Sequence, residues 1–412
     1  MNKFLPRVNM LTRKSHLVFS IFLLFSVFMS APSYSAAVFN SVQSGSFSHT
    51  TSNGTTPETI TLATAIDPDK TYLMFQSSHN SSDPGGSMIR GRILDANTLE
   101  FESVYDTTST INIQWYIVEY TSGVSVQRGE VNQSATTNVT IPTTLSAVNQ
   151  AFLTWSKTPG GSDGSWSSDD PIVGQITSTS NIQFRVNSAG SSQIIWWQVV
   201  EYTDAADINV QTVTTSMTGN EKNKTVSISS VDTSKAFILA SFRTSRDGND
   251  IDERMINATF SSSTRVRIRR EDSGDNLDEV VIQVVQLNDG VVVQGGESRI
   301  NNGSTSDTES LSTITVANSI AFASIQAVGG QNMGRVDYQS NDRIGEGSAR
   351  LTLSASQLTL TRDRSNDDAW FGWFVIDYSA VPSTALLEVS SISGSCAALS
   401  TVTVLFSEDV EL

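Results

Sequence analysis

Short runs in which apolar and polar residues alternate dominate the chain after residue 37. In one such run Ile89, Gly91 and Ile93 alternate with polar residues. After a turn, Leu99 and Phe101 occupy the facing positions of the next run. Period two is the spacing of a strand with one buried face, and Gly, Asn, Asp and Ser separate the runs as they separate strands. The pattern predicts an all-β protein of antiparallel strands, because such strands bury one face and wet the other.

The strand pattern recurs four times, at intervals of 84, 84 and 83 residues. A Val-Gln pair opens each copy, and the first residues of these pairs are Val42, Val126, Val210 and Val293. The second and fourth copies continue to a Gly-Glu pair, Gly129-Glu130 and Gly296-Glu297. An apolar strand closes each copy, and three of these strands end in an acidic residue and a tyrosine: Glu119-Tyr120, Glu201-Tyr202 and Asp377-Tyr378. Two landmarks in one order at one period indicate tandem modules.

Each copy contains six short strands, and folding into two facing sheets is the economical way to bury their apolar faces. We therefore predict four tandem six-stranded antiparallel β-sandwich modules, with a small barrel as the alternative. The predicted boundaries are 38–123, 124–206, 207–290 and 291–380. The fourth and fifth strands form a hairpin whose facing residues are six positions apart in three copies. They are five positions apart in copy four, at Leu353 and Leu358.

Tryptophan recurs on the closing strand, where it invites a sugar-stacking interpretation. Trp115, Trp197 and Trp373 occupy one position of the repeat, and Ile282 occupies it in copy three. Because Ile replaces Trp there, we predict a core position. We also expect each module to seal its own apolar interior, since a chain of about 84 residues can build a core of its own.

Residues 1–37 have the pattern of a secretory signal peptide. Four basic residues precede an uncharged stretch from Leu17 to Met29, and Ser35-Ala36-Ala37 offers a cleavage site. A transmembrane anchor is the alternative, but thirteen residues fall short of the about 20 that a spanning helix needs. The predicted location is extracellular or on the outer cell surface, with the periplasm as an alternative, and with no transmembrane segment in the mature chain.

The net negative charge of the chain argues against some classes of binding partner. Removal of residues 1–37 takes the net charge from −16 to −20. Nucleic acids and anionic lipids require clustered Lys and Arg, so the mature surface predicts no nucleic-acid partner. Such a surface attracts divalent cations instead.

Residues 381–412 depart from the repeat. A linker at Pro382–Thr384 precedes Val402–Glu408, which resembles the opening strands of a bacterial Ig-like module. The single cysteine, Cys396, excludes an internal disulfide and suggests a partner elsewhere. We therefore expect the Ig-like module to continue beyond Leu412.

Catalytic patterns are weak in this chain. Residues 160–164 match the G-x-S-x-G nucleophile motif, but they lie in a loop between strands with no helix after them. The two histidines of the mature chain, His49 and His79, both precede that loop, and we expect each in a solvated loop. One Cys and two scattered His also provide no zinc spacing. The sequence therefore predicts no enzyme.

The loops between the third and fourth strands of each copy are the candidate binding regions. They occupy one topological position but differ in length and sequence, as binding loops do on a constant scaffold, over 77–87, 157–170, 245–253 and 328–348. Loop two combines Trp166 with three acidic residues, and an exposed indole with carboxylates suits a sugar: Asp163, Asp169 and Asp170. Loop three is rich in oxygen ligands for Ca²⁺: Asp247, Asn249, Asp250 and Asp252. The alternative for both loops is a solvated, turn-forming role.

The module layout resembles two groups of proteins. The Val-Gln-x-Gly opening at Val126 and the closing Ile-x-Trp strand at Ile195 resemble the H-type lectin module. That module is a six-stranded β-sandwich that binds N-acetylgalactosamine and assembles as trimers, but none of its sugar-contacting residues maps onto this chain. Residues 42–380 are more similar to repeats of exported bacterial proteins of the MshQ-type pilus-biogenesis and adhesin class.

These patterns lead to two alternative functions. The first is a secreted or surface-displayed adhesion protein that binds carbohydrate or glycoconjugate through the variable loops. The second is a structural stalk that spaces a functional domain beyond Leu412.

Overall fold

The computed structural model describes residues 36–50, 57–103, 110–159, 163–188, 193–246, 251–327, 329–337 and 343–380. The predicted signal peptide, Cys396 and the predicted Ig-like strands lie outside the described residues. In the described part of the chain, no helix has the length and apolar character needed to cross a membrane.

The first two modules each contain six strands. Module 1 comprises β1 (Val38–Thr50), β2 (Glu58–Thr61), β3 (Thr71–His79), β4 (Arg90–Asp95), β5 (Thr98–Glu102) and β6 (Thr110–Ser122). Module 2 comprises β7 (Val124–Asn132), β8 (Thr136–Thr140), β9 (Ala151–Thr158), β10 (Val173–Ser178), β11 (Asn181–Arg185) and β12 (Ile194–Tyr202).

Module 3 repeats this plan and module 4 extends it. Module 3 comprises β13 (Ile208–Met217), β14 (Asn223–Ser227), β15 (Ala236–Arg243), β16 (Asn257–Ser262), β17 (Arg265–Arg269) and β18 (Leu277–Leu287). Module 4 comprises β19 (Val292–Ile300), β20 (Ser306–Ser310), β21 (Ser319–Ala323), β22 (Ile325–Ala327), β23 (Gly330–Met333), β24 (Arg335–Asp337), β25 (Arg350–Ser354), β26 (Gln357–Thr361) and β27 (Asp368–Asp377). Short 3-10 helices cover Pro68–Lys70, Val148–Gln150, Ile251–Glu253, Val316–Asn318 and Ile344–Gly347.

Every module consists of two small antiparallel sheets. In module 1 the strand orders are β1-β6-β3 and β2-β5-β4, and the other modules repeat them. The predicted all-β, multi-module fold is confirmed, and the sheets are open rather than closed into a barrel. The three additional strands of module 4 were not predicted. Of these, β22 and β23 continue the sheet of module 3 through one parallel bridge, Ala240 to Ile325, and β24 pairs with β27.

The hairpin spacing has a structural cause. Ile93 pairs with Leu99 and Asp95 pairs with Thr98, so Leu94 is an extra residue in a β-bulge. Modules 2 and 3 have the same irregularity. In module 4 Leu353 pairs with Leu358 in regular register. The predicted pairing of these two leucines is confirmed, and the missing bulge explains the shorter spacing.

The Val-Gln landmark fastens one loop in every module. The Gln127 side chain donates to the Thr143 carbonyl at 2.7 Å and accepts from the Thr143 amide at 2.6 Å. Gln43, Gln211 and Gln294 form the same paired bonds with the loop after the second strand. The acidic residue before each closing tyrosine accepts a backbone amide nearby, as Glu119 does from Asp67. Both landmarks therefore serve the fold.

The repeated tryptophans lie in module cores, as predicted. Trp115, Trp197 and Trp373 are 4–7% exposed, and Ile282 is fully buried. Each Trp faces a glycine of the first strand, namely Gly45, Gly129 and Gly296, whereas Ile282 faces Val213. A Cβ at Gly129 would lie 2.7 Å from Trp197 Cζ2. Modules 1, 2 and 4 therefore have the large-small pair Trp/Gly, and module 3 has the medium-sized pair Ile/Val in its place.

The expectation that each module seals its own interior is only partly correct. Modules 1 and 2 each have a separate cluster, but a third cluster includes residues from all four modules. At its centre the first aromatic residues of the third strands form an edge-to-face series: Tyr72, Phe152, Phe237 and Phe322, with ring centroids 5.4–5.8 Å apart. Periodicity reveals which face of a strand is apolar but not whether a neighbouring module covers it.

Contacts between modules form a closed series. The Gln198 side chain of module 2 bonds to both backbone groups of Leu73 in module 1, at 2.7 and 3.0 Å. Gln283 of module 3 bonds to Leu153 of module 2 in the same way. The Ala240–Ile325 bridge joins modules 3 and 4, and the Tyr116 hydroxyl of module 1 donates to the Leu351 carbonyl of module 4.

Candidate functional site

The four variable loops meet at one end of the molecule. The Gly85 amide of loop one donates to the Asp163 carbonyl of loop two at 2.9 Å. Asn332 of loop four donates to the Ser77 carbonyl of loop one at 3.0 Å. Trp166 of loop two and Met333 of loop four line one narrow cavity, together with Met255, which lies just after loop three. The described parts of these loops lie against one another, which does not favour the predicted role of the loops as binding regions.

The loop-two residues singled out by sequence do come together. One carboxylate oxygen from each of Asp163, Asp169 and Asp170 lies within 4.8 Å of the others. The Ser165 amide contacts Asp163 at 3.4 Å, and the Ser167 amide donates to Asp170 at 2.8 Å. These local bonds turn the chain so that the three side chains converge.

Trp166 does not form the predicted exposed stacking surface. Its side chain is buried, at 7% exposure, because it lies between the modules. It lines a cavity of about 10 Å³ with residues from every module, including Met88, Phe242 and Gln326. That cavity is narrow and has room for about one water molecule. A sugar ring therefore does not fit against this indole.

Lys157 is a buried, titratable residue of loop two that the sequence analysis did not identify as a site residue. It is 1% exposed, and its Nζ donates to the Asp169 carbonyl at 2.8 Å and to Gln193 Oε1 at 2.5 Å. Burial lowers the pKa of Lys157 to about 8, while the nearby aspartates oppose that shift. Burial also raises the pKa of Asp170 well above its usual range, and Lys157 opposes that shift. Lys157 lies on a strand in polar surroundings, so nothing in its neighbours signalled burial.

The predicted Ca²⁺ ligands of loop three are mostly outside the described residues. This applies to Asp247, Asn249 and Asp250. Asp252 is buried within the 3-10 helix Ile251–Glu253. The acidic grouping found among the described residues is that of loop two, and it does not include Asp252.

Two open clefts lie at equivalent junctions between modules. The first cleft separates β4 of module 1 from β7 and β12 of module 2, with a volume of about 280 Å³. Its lining is Gly91, Arg92, Ile93, Leu94, Arg128, Gly129, Glu130, Trp196, Trp197 and Gln198. The second cleft separates module 3 from module 4, with a volume of about 420 Å³. Its lining is Thr233, Ser234, Thr259, Phe260, Ser261, Ser262, Ser263, Val293, Gly295, Gly296 and Phe374.

The first cleft carries charged groups on an aromatic wall. The Arg92 guanidinium carbon lies 4.2 Å from the Trp196 ring centroid, and Arg92 pairs with Glu100 at 2.7 Å and with Glu130 at 3.2 Å. The Glu130 side chain remains 63% exposed. Arg128 donates to the Thr71 carbonyl at 2.8 Å. The cleft thus presents oriented donors and a carboxylate beside an indole.

The Gly-Glu pairs of the second and fourth copies mark these two junctions. Glu130 accepts Arg92 from module 1, and Glu297 accepts Arg269 from module 3 at 2.9 Å. Modules 1 and 3 have Ser46 and Thr214 at this position. The Gly-Glu pairs therefore mark the two junctions at which the first strand of a module accepts an arginine from the module before it, whereas module 3 accepts Arg185 of module 2 at Glu279 on its last strand, at 2.5 Å.

The two histidines are buried, contrary to the expectation of solvated loops. His49 Nδ1 lies 3.1 Å from Glu58 and Nε2 lies 2.9 Å from the Ser103 hydroxyl, in the serial order of a hydrolytic triad. Ser103, however, is fully buried, and modules 3 and 4 have Arg270 and Arg362 at its position. Those arginines bond to backbone carbonyls. We therefore interpret the hydrogen-bonded series Glu58–His49–Ser103 as structural, because it fills in module 1 the position that an arginine fills in modules 3 and 4. The absence of enzymatic activity stays a prediction.

His79 is fully buried at the end of β3. Burial lowers its pKa to about 4, with Asp363 opposing the shift. The ring is therefore neutral at physiological pH. Sequence context had suggested solvent because the neighbours of His79 are polar, yet those neighbours are buried against module 4.

Comparison with known proteins adds no assignment. No protein-family model matches this chain, and no curated protein matches it significantly.

Proposed function

We propose that the chain is an exported adhesion protein that binds carbohydrate or glycoconjugate in the clefts between its modules. This keeps the ligand class expected from the sequence but moves the binding surface from the loop tips to the junctions. The observation that carries the proposal is the pair of ligand-sized clefts at equivalent positions. Their volumes of about 280 and 420 Å³ lie around the lower end of the range of about 300–1,000 Å³ that is typical of small-ligand sites.

The lining of the second cleft suits a neutral sugar. Ser261, Ser262 and Ser263 offer hydroxyl groups at its rim, and the Phe260 and Phe374 rings meet at 5.9 Å on its wall. Sugar recognition needs donors and acceptors for hydroxyls together with an apolar face for the ring. This cleft provides both.

The lining of the first cleft suits a sugar that carries a charge. Glu130, whose side chain is 63% exposed, provides an acceptor, while Arg92 is held by two carboxylates and Arg128 by backbone carbonyls. Trp196 is 3% exposed and lies beneath the Arg92 guanidinium, so it supports the cleft rather than stacking on a ligand. Two clefts on one molecule also permit bivalent attachment, which raises avidity by about 10²–10⁴ when both sites are engaged.

A stalk remains the alternative, but the chain path argues against it. The Phe39 ring, near the start of module 1, stacks on Tyr378, at the end of module 4, with centroids 5.4 Å apart. A spacer gains length with each added module, whereas here four modules return the chain to its starting point. The repeats therefore suit a binding body better than a spacer.

A glycan array probed with the mature chain tests the proposal. We expect binding to at least one glycan class, and we expect Ser262→Trp to lower it about tenfold or more, because the indole fills the second cleft. Ser262 is exposed, so the variant should fold. Glu130→Ala serves the same purpose in the first cleft.

Ser178→Trp is the matched control. Ser178 is the exposed residue at the position equivalent to Ser262 in module 2, and it does not line either cleft. This variant should bind as the parent does. A chain that binds no glycan, or one whose binding survives both cleft substitutions, would refute the proposal.

A further inference from the structure

Three carboxylates of loop two converge beside a single ammonium group. Asp163, Asp169 and Asp170 each place an oxygen within 4.8 Å of the others. Lys157 approaches this group, but its Nζ donates to a backbone carbonyl and to Gln193 rather than to a carboxylate. Among the described residues, no ion pair within 4.0 Å involves any of the three carboxylates. When ionised, three carboxylates and one ammonium leave two negative charges uncompensated.

A second observation concerns the hydrogen bonds of Asp170. This residue is 2% exposed, and one of its oxygens accepts the Ser167 amide. The other oxygen, Oδ1, is buried and accepts no hydrogen bond from an N–H or hydroxyl donor in the described part of the chain. The side chain also lies against the Asp163 carboxyl group, with which it can share a hydrogen bond only when one of the two is protonated. A buried charged oxygen without a partner is costly, so such atoms generally have a ligand that accounts for them. Asp170 also lines the narrow cavity beneath the loop, which has room for a water molecule.

We propose that Asp163, Asp169 and Asp170 bind a hard divalent cation, with Ca²⁺ as the best match. Ca²⁺ takes oxygen ligands at about 2.3–2.6 Å, so two of its ligands lie at most about 5 Å apart. The spread of 4.8 Å fits within that limit. A charge of +2 also balances the excess that Lys157 leaves. Water completes the shell on the open side, since Asp163 and Asp169 are half-buried.

The position of this site gives the ion a structural role. Loop two carries Trp166 into the cavity shared by all four modules. A cation that holds the three aspartates together would keep the loop in this inserted conformation. Ca²⁺ should therefore stabilise the whole assembly of modules. This inference is independent of glycan binding in the clefts, because the aspartates line neither of them.

Thermal unfolding and calorimetry of the mature chain test the site, with Ca²⁺ as the probe and Mg²⁺ as comparator. We expect Tm to rise with the logarithm of the Ca²⁺ concentration above Kd, and by about 3 °C or more once that concentration is 100 times Kd. Asp170→Asn should weaken Ca²⁺ binding at least tenfold. Asp163→Asn is the second variant, because its half-buried side chain is less critical for folding.

Terbium luminescence gives a readout that stability alone does not affect. Tb³⁺ bound at the site should emit when tryptophan is excited, and Ca²⁺ should displace it. Trp166→Phe should reduce this emission with little change in Ca²⁺ affinity, since its indole lies beside the site but supplies no ligand.

Asp247→Asn is the matched control, because it removes an acidic residue of loop three. It should leave Ca²⁺ binding unchanged. Absence of Ca²⁺ heat in the parent would overturn the proposal. So would a Ca²⁺ affinity that survives both Asp163→Asn and Asp170→Asn, and loss on Asp247→Asn alone would place the ion in loop three.

Discussion

At the residue scale, the pairing of Gly129 with Trp197 shows how the module core tolerates change. The glycine lies on β7 opposite the tryptophan on β12, and the space that its missing Cβ would occupy is filled by the indole. Module 3 solves the same problem with Val213 opposite Ile282. In module 3 the residue on the first strand is larger and the residue on the last strand is smaller than in module 2. Cores tolerate such a compensated change in side-chain volume better than a change at one position alone.

Gly129→Val should therefore destabilise the protein by about 1–3 kcal/mol, because the added atoms overlap the Trp197 ring. Combining it with Trp197→Ile reproduces the pair found in module 3. We expect the double variant to be more stable than the sum of the single effects by at least about 1 kcal/mol. Urea denaturation of the four chains provides the measurement.

Gly164→Val is the control for the backbone effect of replacing glycine. Nothing lies within 4 Å of a Cβ at that position, so its stability should change little. Additive effects of the Gly129 and Trp197 substitutions would show that the two residues do not share one space.

At the scale of elements, the connector between β18 and β19 differs from those of the other modules. Tyr120 lies near the end of β6 and Tyr202 ends β12, whereas β18 ends at Leu287, and Asp289 follows in the turn. The Tyr120 hydroxyl donates to Tyr202 or accepts from it at 2.7 Å, and it contacts Asp289 at 3.3 Å. The carboxyl group of Asp289 therefore contacts the Tyr120 hydroxyl from the one module whose last strand has no closing tyrosine.

This carboxyl group should make stability depend on pH. Burial, and then the charge of Asp207, raise the pKa of Asp289 from 3.8 to about 7. The folded state therefore holds its proton more tightly than the unfolded state. The resulting stabilisation is complete below about pH 4 and is lost as the pH rises to about 7, at about 1.4 kcal/mol per pH unit.

Asp289→Asn should remove this component. The free energy of unfolding of the variant, measured against pH between 4 and 7, should fall less steeply than that of the parent. The tyrosines around Asp289 do not titrate in this range, because burial raises the pKa of each of them further. Parallel pH profiles for the two chains would contradict the assignment.

At the scale of the whole molecule, the shared aromatic cluster connects the modules thermodynamically. Tyr72, Phe152 and Phe237 come from three different modules and pack edge to face. Separating the modules would expose these rings to water, at a cost of about 25 cal/mol for each Å² of apolar surface. The modules should therefore not unfold one at a time.

We expect a single cooperative thermal transition for the repeat region, residues 38–380. In scanning calorimetry its calorimetric and van't Hoff enthalpies should agree, as they do for a single folding unit. A fragment of residues 38–206, which contains modules 1 and 2 alone, should show lower stability than the same residues in the full chain. Several resolved transitions would instead indicate independent modules.

The sequence alone determined the class of strand, the repeat and the core position of the tryptophans. Alternation with period two follows from strand geometry, and the replacement of Trp by Ile at residue 282 marks an apolar environment. Even the shorter hairpin of module 4 was visible as a change in spacing between Leu353 and Leu358. These features depend on residues that are close together in the sequence, so the sequence alone reveals them.

The tertiary structure decided the burial of Trp166 and His79, the clefts, and the convergence of the loops. Each depends on which module covers which face, and that choice is made by contacts between residues far apart in the chain. The residues of loop two were identified correctly as a group, because acidic residues close in sequence remain close in space. The surroundings of these residues were not predicted. Lys157 and the other residues that line the cavity beside Asp170 lie far apart in the sequence, and only folding brings them together.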